Sequence, residues 1–212
     1  MWLAFQVGSS LWLNNFKHIV QFHKPCRNRT EGYYNYTKHL FPPPLKPLEQ
    51  DFRLRTSLRL LIVRHPFERI ISLYKSVVKN STLQILWNNY TFTDIFNGKR
   101  TFSNFVEALI SSVERGTLFG PFSVLNPYHI TCSPCNLKYN IIIELNNLVE
   151  EQRFVFAKRK WAWTLEDTTP WKHSTRSARE AKIFVQKLSP QERKDLNNIY
   201  KLDLEMFNYT EI

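Results

Sequence analysis

Between Leu58 and Val63 the chain runs Leu-Arg-Leu-Leu-Ile-Val, an apolar stretch too short for a helix, which predicts a buried strand. Pro66 stands where a helix takes its first residue. Phe67, Ile70, Ile71, Tyr74, Val77 and Val78 follow at three- and four-residue spacing, so a helix with a core-facing stripe is expected. The same reasoning predicts helices over 102–113 and 147–158 and a second strand over 139–145. Ser189-Pro190-Gln191-Glu192 is a capping box with proline at the first helical position, opening a helix through Tyr200. Nearer the start, 2–7 reads as a short strand, Gly8-Ser9-Ser10 as a tight turn, 11–23 as a helix and 49–56 as a short helix. Residues 25–47, stiffened by Pro42-Pro43-Pro44, read as an extended connection, and 80–100 as a polar surface excursion. Strand alternating with helix indicates an α/β fold with a parallel sheet. With no internal repeat or boundary in sight, residues 1–212 are read as one domain.

Charge and composition narrow the class. A hydrophobic fraction of 43% supports a sizeable core and excludes global disorder. The 29 Lys and Arg against 18 Asp and Glu leave a net charge of +11, which draws polyanions of any kind, from nucleic acid to acidic glycan or nucleotide. Neither zinc-finger spacing nor an aromatic RNA-binding motif is present, so nucleic acid is not the expected partner. No apolar stretch reaches the roughly 18–20 residues of a membrane span. Five Asn-x-Thr sequons, at Asn28, Asn35, Asn80, Asn89 and Asn208, exceed the about two that chance would give and favour a secretory-pathway lumen. Cys132 and Cys135 form a Cys-Ser-Pro-Cys pair; with Cys26 the count is odd. In an oxidising lumen a structural disulfide suits them better than zinc, with partners that spacing does not reveal.

The chemistry concentrates where the middle strand hands over to a helix. Arg64 follows the strand at the edge where open α/β sheets bind ligands, and a helix N-terminus there favours anions. Arg64 is suited to a charge-assisted phosphate contact, and Ser72, two turns on, adds a hydroxyl. The run Val63-Arg64-His65-Pro66-Phe67-Glu68-Arg69-Ile70-Ile71-Ser72-Leu73-Tyr74 resembles the 3′-phosphate-binding motif of the Golgi carbohydrate sulfotransferases, the group of the chondroitin and dermatan 4-O-sulfotransferases and the HNK-1 type enzymes. Cys132-Ser133-Pro134-Cys135 with Tyr139 is similar to a second segment of that family, and 199–209 to its C-terminal signature.

The resemblance implies a P-loop-like fold, a central parallel sheet flanked by helices, that binds 3′-phosphoadenosine 5′-phosphosulfate (PAPS) and moves its sulfuryl group to a glycan hydroxyl without a metal. It implies an anionic glycan or glycosaminoglycan acceptor of the chondroitin or dermatan kind. It also implies a Golgi-lumen, type II setting, with membrane attachment only through an anchor outside this chain and a truncated N-terminus. Arg64 and Ser72 match the family's donor-phosphate residues, Gly8, Ser9 and Ser10 its phosphate loop, and Arg176, in a Ser-Thr-Arg stretch, a further donor contact.

Three departures stand out. Gln6 occupies the place of the phosphate-loop lysine, and a neutral amide cannot neutralise charge building up during transfer, an effect worth several kcal/mol of barrier. A weakened relative that binds donor or glycan is therefore the alternative reading. Val124 and Leu125 stand for a His-Trp pair, and Lys138 and Asn140 replace two acidic residues around Tyr139. The base for the acceptor hydroxyl is sought among His18, His23 and His39, with His39 taken as the candidate and His65 as structural.

Overall fold

The run Leu60–Val63 forms strand β1, and Ile141–Glu144 forms β2. The two pair in parallel with Leu60 opposite Ile141 and Val63 opposite Glu144, as the alternation of elements predicts. This computed structural model describes residues 56, 58–79, 101–114, 116, 123–158 and 174–212. The expected elements over 2–7 and 11–23, the 25–47 connection and the 80–100 excursion lie outside them, as does the 49–56 helix apart from Thr56. The chain divides into two compact units, residues 1–63 with 134–172, and residues 64–133 with 173–212.

The first unit holds the sheet. Leu61, Ile62 and Val63 are all buried, which explains an unbroken apolar run where a one-faced strand would alternate. The pairing extends one step past β1: the Asn140 side-chain oxygen accepts the Arg59 N–H at 2.9 Å, and the Asn140 N–H donates to the Arg59 carbonyl at 2.9 Å. After a short helix, α4 (Pro134–Leu137), and β2, the chain turns through a 3₁₀ segment into α5 (Leu148–Lys158). Leu148, Val155 and Phe156 are buried on α5, and Glu151 returns a carboxylate oxygen to the Glu144 N–H at 3.0 Å.

The second unit is helical: α1 (Pro66–Lys79), α2 (Phe102–Glu114), α3 (Tyr128–Thr131), α6 (Ser174–Val185) and α7 (Pro190–Met206). Phe67, Ile70, Ile71 and Leu73 of α1 join Phe105, Val106 and Leu109 of α2 and Leu196, Tyr200 and Leu204 of α7 in one core. Tyr74 packs on its edge, with its ring 5.2 Å from Phe102. The expected stripe ends there, because Val78 is 41% exposed. The helix over 174–185 was not among the predicted elements, since its sequence is mostly polar. It is fixed by tertiary contacts: Phe184 sits 4.9 Å from the Phe102 ring, and Glu180 pairs with Lys75. The last helix runs six residues beyond Tyr200, because Asp203 and Leu204 continue its buried face.

The capping box forms as expected. Ser189 Oγ accepts the Glu192 N–H at 3.2 Å, and Glu192 Oε2 accepts the Ser189 N–H at 2.7 Å. Ser103 donates to the other Glu192 oxygen at 2.6 Å, tying α2 to the start of α7. Partial burial pushes the Glu192 carboxyl up, but these bonds outweigh it and hold the group below its ordinary value of 4.5. A depressed carboxyl stabilises the fold above the unfolded value and loses that contribution as pH falls through the folded one. Glu192→Gln should therefore lower the melting temperature at pH 7, with the gap to the parent closing below pH 4.5; thermal denaturation across pH 3–7 checks it. Leu196→Ala, emptying a fully buried position, should cost about 2–5 kcal/mol in urea denaturation.

Candidate functional site

Only Arg64 and His65 separate the end of β1 from the start of α1. The Arg64 side chain lies back along the helix, its Nε 3.0 Å from Glu68 Oε2, and both side chains are largely buried, 12% and 6% exposed. Glu68 and Ser72 are four residues apart on α1 and share one of its faces, and Arg64, two residues before the helix, is joined to that face through Glu68. Because helical side chains lean toward the N-terminus, the half-buried Ser72 leans toward the Arg64–Glu68 pair. Glu68 thus stands between the two predicted phosphate residues, bonded to Arg64 and one turn from Ser72. Glu68, to which the sequence reading gave no role, sets where the guanidinium points.

Behind this face lies a second set of residues. The Arg64 N–H donates to Tyr128 Oη at 3.0 Å, and Tyr128 is fully buried. Burial pushes the phenol up to about 12, against the opposing pull of Arg69, so Tyr128 stays protonated across the physiological range. Arg69 lies over the Tyr128 ring, 4.3 Å from its centroid, and donates to the carbonyls of Val124 at 2.8 Å and Asn126 at 3.3 Å. At 2% exposure Arg69 is an internal clasp, its charge spread over carbonyl dipoles and an aromatic face. Tyr200 donates to the Leu125 carbonyl at 2.7 Å from the adjoining helix. The Val124-Leu125 departure therefore lies in a backbone segment held by Arg69 and Tyr200.

Asp203 completes the set. Fully buried, it accepts the Tyr128 N–H at 2.6 Å on one oxygen. The other takes both the His129 N–H and His129 Nδ1 at 3.1 Å. The carboxylate thereby satisfies the first amides of α3, for which Pro127 supplies no side-chain cap. Neither Asp203 nor His129 was among the sequence candidates for catalysis. A signal existed: Asp203 falls with Leu196, Tyr200 and Leu204 at core spacing, and a carboxylate in a core stripe requires partners.

His65 is held at both ring nitrogens. Nε2 lies 3.0 Å from the Thr210 carbonyl, and Nδ1 accepts the Phe67 N–H at 3.3 Å. Its ring packs 5.0 Å from Tyr209. Cys132 is buried, which disfavours ionisation of its thiol, and Cys135 is exposed; neither forms a disulfide among the described residues. Asn208 is exposed just past α7, with φ +53°. The backbone of Arg176 lies in the first turn of α6, while its side chain is outside the described residues. Gln6, Gly8, Ser9, Ser10, His18, His23, His39, Cys26, Asn28, Asn35, Asn80 and Asn89 also lie outside them. Among the described residues no helix is long and apolar enough to cross a membrane.

Burial lowers the His65 pKa below 6.5, more than its Thr210 bond and Glu68 raise it. The unfolded chain then takes the proton first, so this contribution to stability is present above pH 6.5 and is lost as pH falls through the folded value. His65→Gln should flatten the decline in melting temperature between pH 7 and 5 relative to the parent.

The family model described as Sulfotransferase family matches residues 5–210. Carbohydrate sulfotransferase 11 of Rattus norvegicus and that of Mus musculus are each 27% identical over 178 residues, covering 76% of this chain and 49% of theirs. Carbohydrate sulfotransferase 11 of Danio rerio is 28% identical over 192 residues, covering 80% of this chain and 53% of its own. The chain spans about half the length of the curated relatives it matches. No solved structure matches it. A match from residue 5 to 210 includes the Arg64–Ser72 segment, the Cys132–Cys135 segment and all of the last helix, and the chain belongs to the sulfotransferase family.

Proposed function

We propose that this chain is the donor-binding and catalytic part of a PAPS-dependent carbohydrate sulfotransferase, acting on a glycan hydroxyl in the Golgi lumen. The observation that carries it is the Arg64–Glu68–Ser72 face in a chain of this family. When bound, PAPS supplies an activated sulfuryl group. Arg64 and Ser72 hold the 3′-phosphate, with Glu68 fixing the angle of the guanidinium and Tyr128 fixing the Arg64 backbone. Gly8, Ser9 and Ser10 form the loop that cradles the 5′-phosphosulfate in a P-loop-like fold, Arg176 adds a donor contact, and Gln6 supplies an amide where a charge would accelerate transfer. His39 is the sequence candidate for the base. The names of the carbohydrate sulfotransferase 11 relatives favour a carbohydrate acceptor, and the +11 charge favours an anionic glycosaminoglycan of the chondroitin or dermatan kind. The Golgi setting goes with type II membrane attachment, and Asn208, exposed, is a glycosylation site with Asn28, Asn35, Asn80 and Asn89.

Two measurements test the reading. At a hundredfold excess over its dissociation constant, 3′-phosphoadenosine 5′-phosphate should add about 2.7 kcal/mol of stability. That corresponds to a rise in melting temperature of roughly 5–10 °C for a domain of this size. Arg64→Ala should abolish the rise, and a parent protein with no shift would sink the donor site. Transfer of labelled sulfate to chondroitin then reports the reaction. Gln6→Lys should raise turnover at least tenfold if the amide limits charge stabilisation; an unchanged rate would count against position 6.

A further inference from the structure

We propose that His129, oriented by the buried carboxylate of Asp203, is the general base that deprotonates the acceptor hydroxyl. This rests on the sulfuryl-transfer reading and replaces His39 in that role. A carboxylate only accepts hydrogen bonds, so the contact from His129 Nδ1 to Asp203 Oδ1 at 3.1 Å places the ring proton on Nδ1. In the neutral ring the lone pair then sits on Nε2. No partner engages Nε2 among the described residues, and the side chain is 28% exposed. The carboxylate is fully buried and also bonded to the Tyr128 and His129 amides, so neither it nor the ring can rotate freely. A buried acid fixing the tautomer of an open imidazole is the arrangement that makes histidine an effective base.

The dyad is also tied to the donor face. Tyr128, the residue before His129, carries its hydroxyl to the Arg64 backbone, so one side chain's length separates the start of α3 from the phosphate-binding arginine. In the step, His129 Nε2 takes the acceptor's hydroxyl proton as the hydroxyl oxygen bonds to sulfur. The bond from sulfur to the 5′-phosphate oxygen breaks, and its electron pair leaves with 3′-phosphoadenosine 5′-phosphate. Uptake by Nε2 leaves an imidazolium beside Asp203, which stabilises the new charge.

The test uses the whole chain and two readouts. His129→Ala should keep the thermal shift with 3′-phosphoadenosine 5′-phosphate and lower labelled sulfate transfer at least a hundredfold. His129→Gln, whose amide can still donate to Asp203, should be equally slow. A structural role would instead be restored by glutamine. Added imidazole should recover part of the rate in His129→Ala and leave His129→Gln, with its pocket filled, slow. Transfer by His129→Ala within threefold of the parent overturns the assignment, as does full activity in His129→Gln. A parent that shifts with the nucleotide but transfers no sulfate overturns the base while sparing the donor site; a parent without the shift removes the donor reading itself.

Discussion

The helical unit turns on one buried carboxylate. Asp203 sits in the core-facing stripe of the last helix, where an unpartnered acid would be strongly destabilising. It is tolerated because two backbone N–H groups and an imidazole converge on it. Those groups belong to the first turn of a four-residue helix with no side-chain cap of its own. The acid needs the short helix for its hydrogen bonds, and the helix needs the acid for its orphan amides. From that mutual requirement follow the position of Tyr128, the Tyr128 bond to the Arg64 backbone, and the seat of Arg69 over the Tyr128 ring.

This arrangement bears on how a basic protein could present the anion site proposed for Arg64 and Ser72. Of its two arginines in the motif, one is withdrawn. Arg69 spends its terminal N–H groups on the carbonyls of Val124 and Asn126 and its face on Tyr128, leaving it internal. Arg64, five residues earlier and just ahead of the helix, is held by Glu68, which shares a helix face with Ser72. Adding charge is the easy part of attracting a phosphate; holding a guanidinium at one angle needs an acid close by, and Glu68 supplies it. The net charge of +11 draws polyanions without choosing among them, whereas the fixed pair sets geometry.

Much of this was legible beforehand. The strand at 60–63, the helix opened by Pro66, the helices at 102–114 and 148–158, the parallel second strand and the Ser189 capping box all follow from apolar period and cap chemistry. The misses share a cause. Ser174–Val185 is too polar to announce a face, and the two four-residue helices are too short to show a period. Val78 continued the pattern of α1 beyond the reach of the core.

For the site the division is sharper. Local sequence determined that Arg64 follows a strand, that Ser72 stands eight residues on, and that a helix puts Glu68 and Ser72 on one face, because helical geometry depends only on neighbours along the chain. It determined nothing about Asp203 meeting Tyr128 and His129 across some 75 residues, or about Arg69 turning inward to Val124. Those contacts arise only when a distant helix lays its buried stripe against the short one, and the hydrogen-bonding needs of groups shut away from water then select the partners. Tertiary structure alone decided that His129 stands beside an acid.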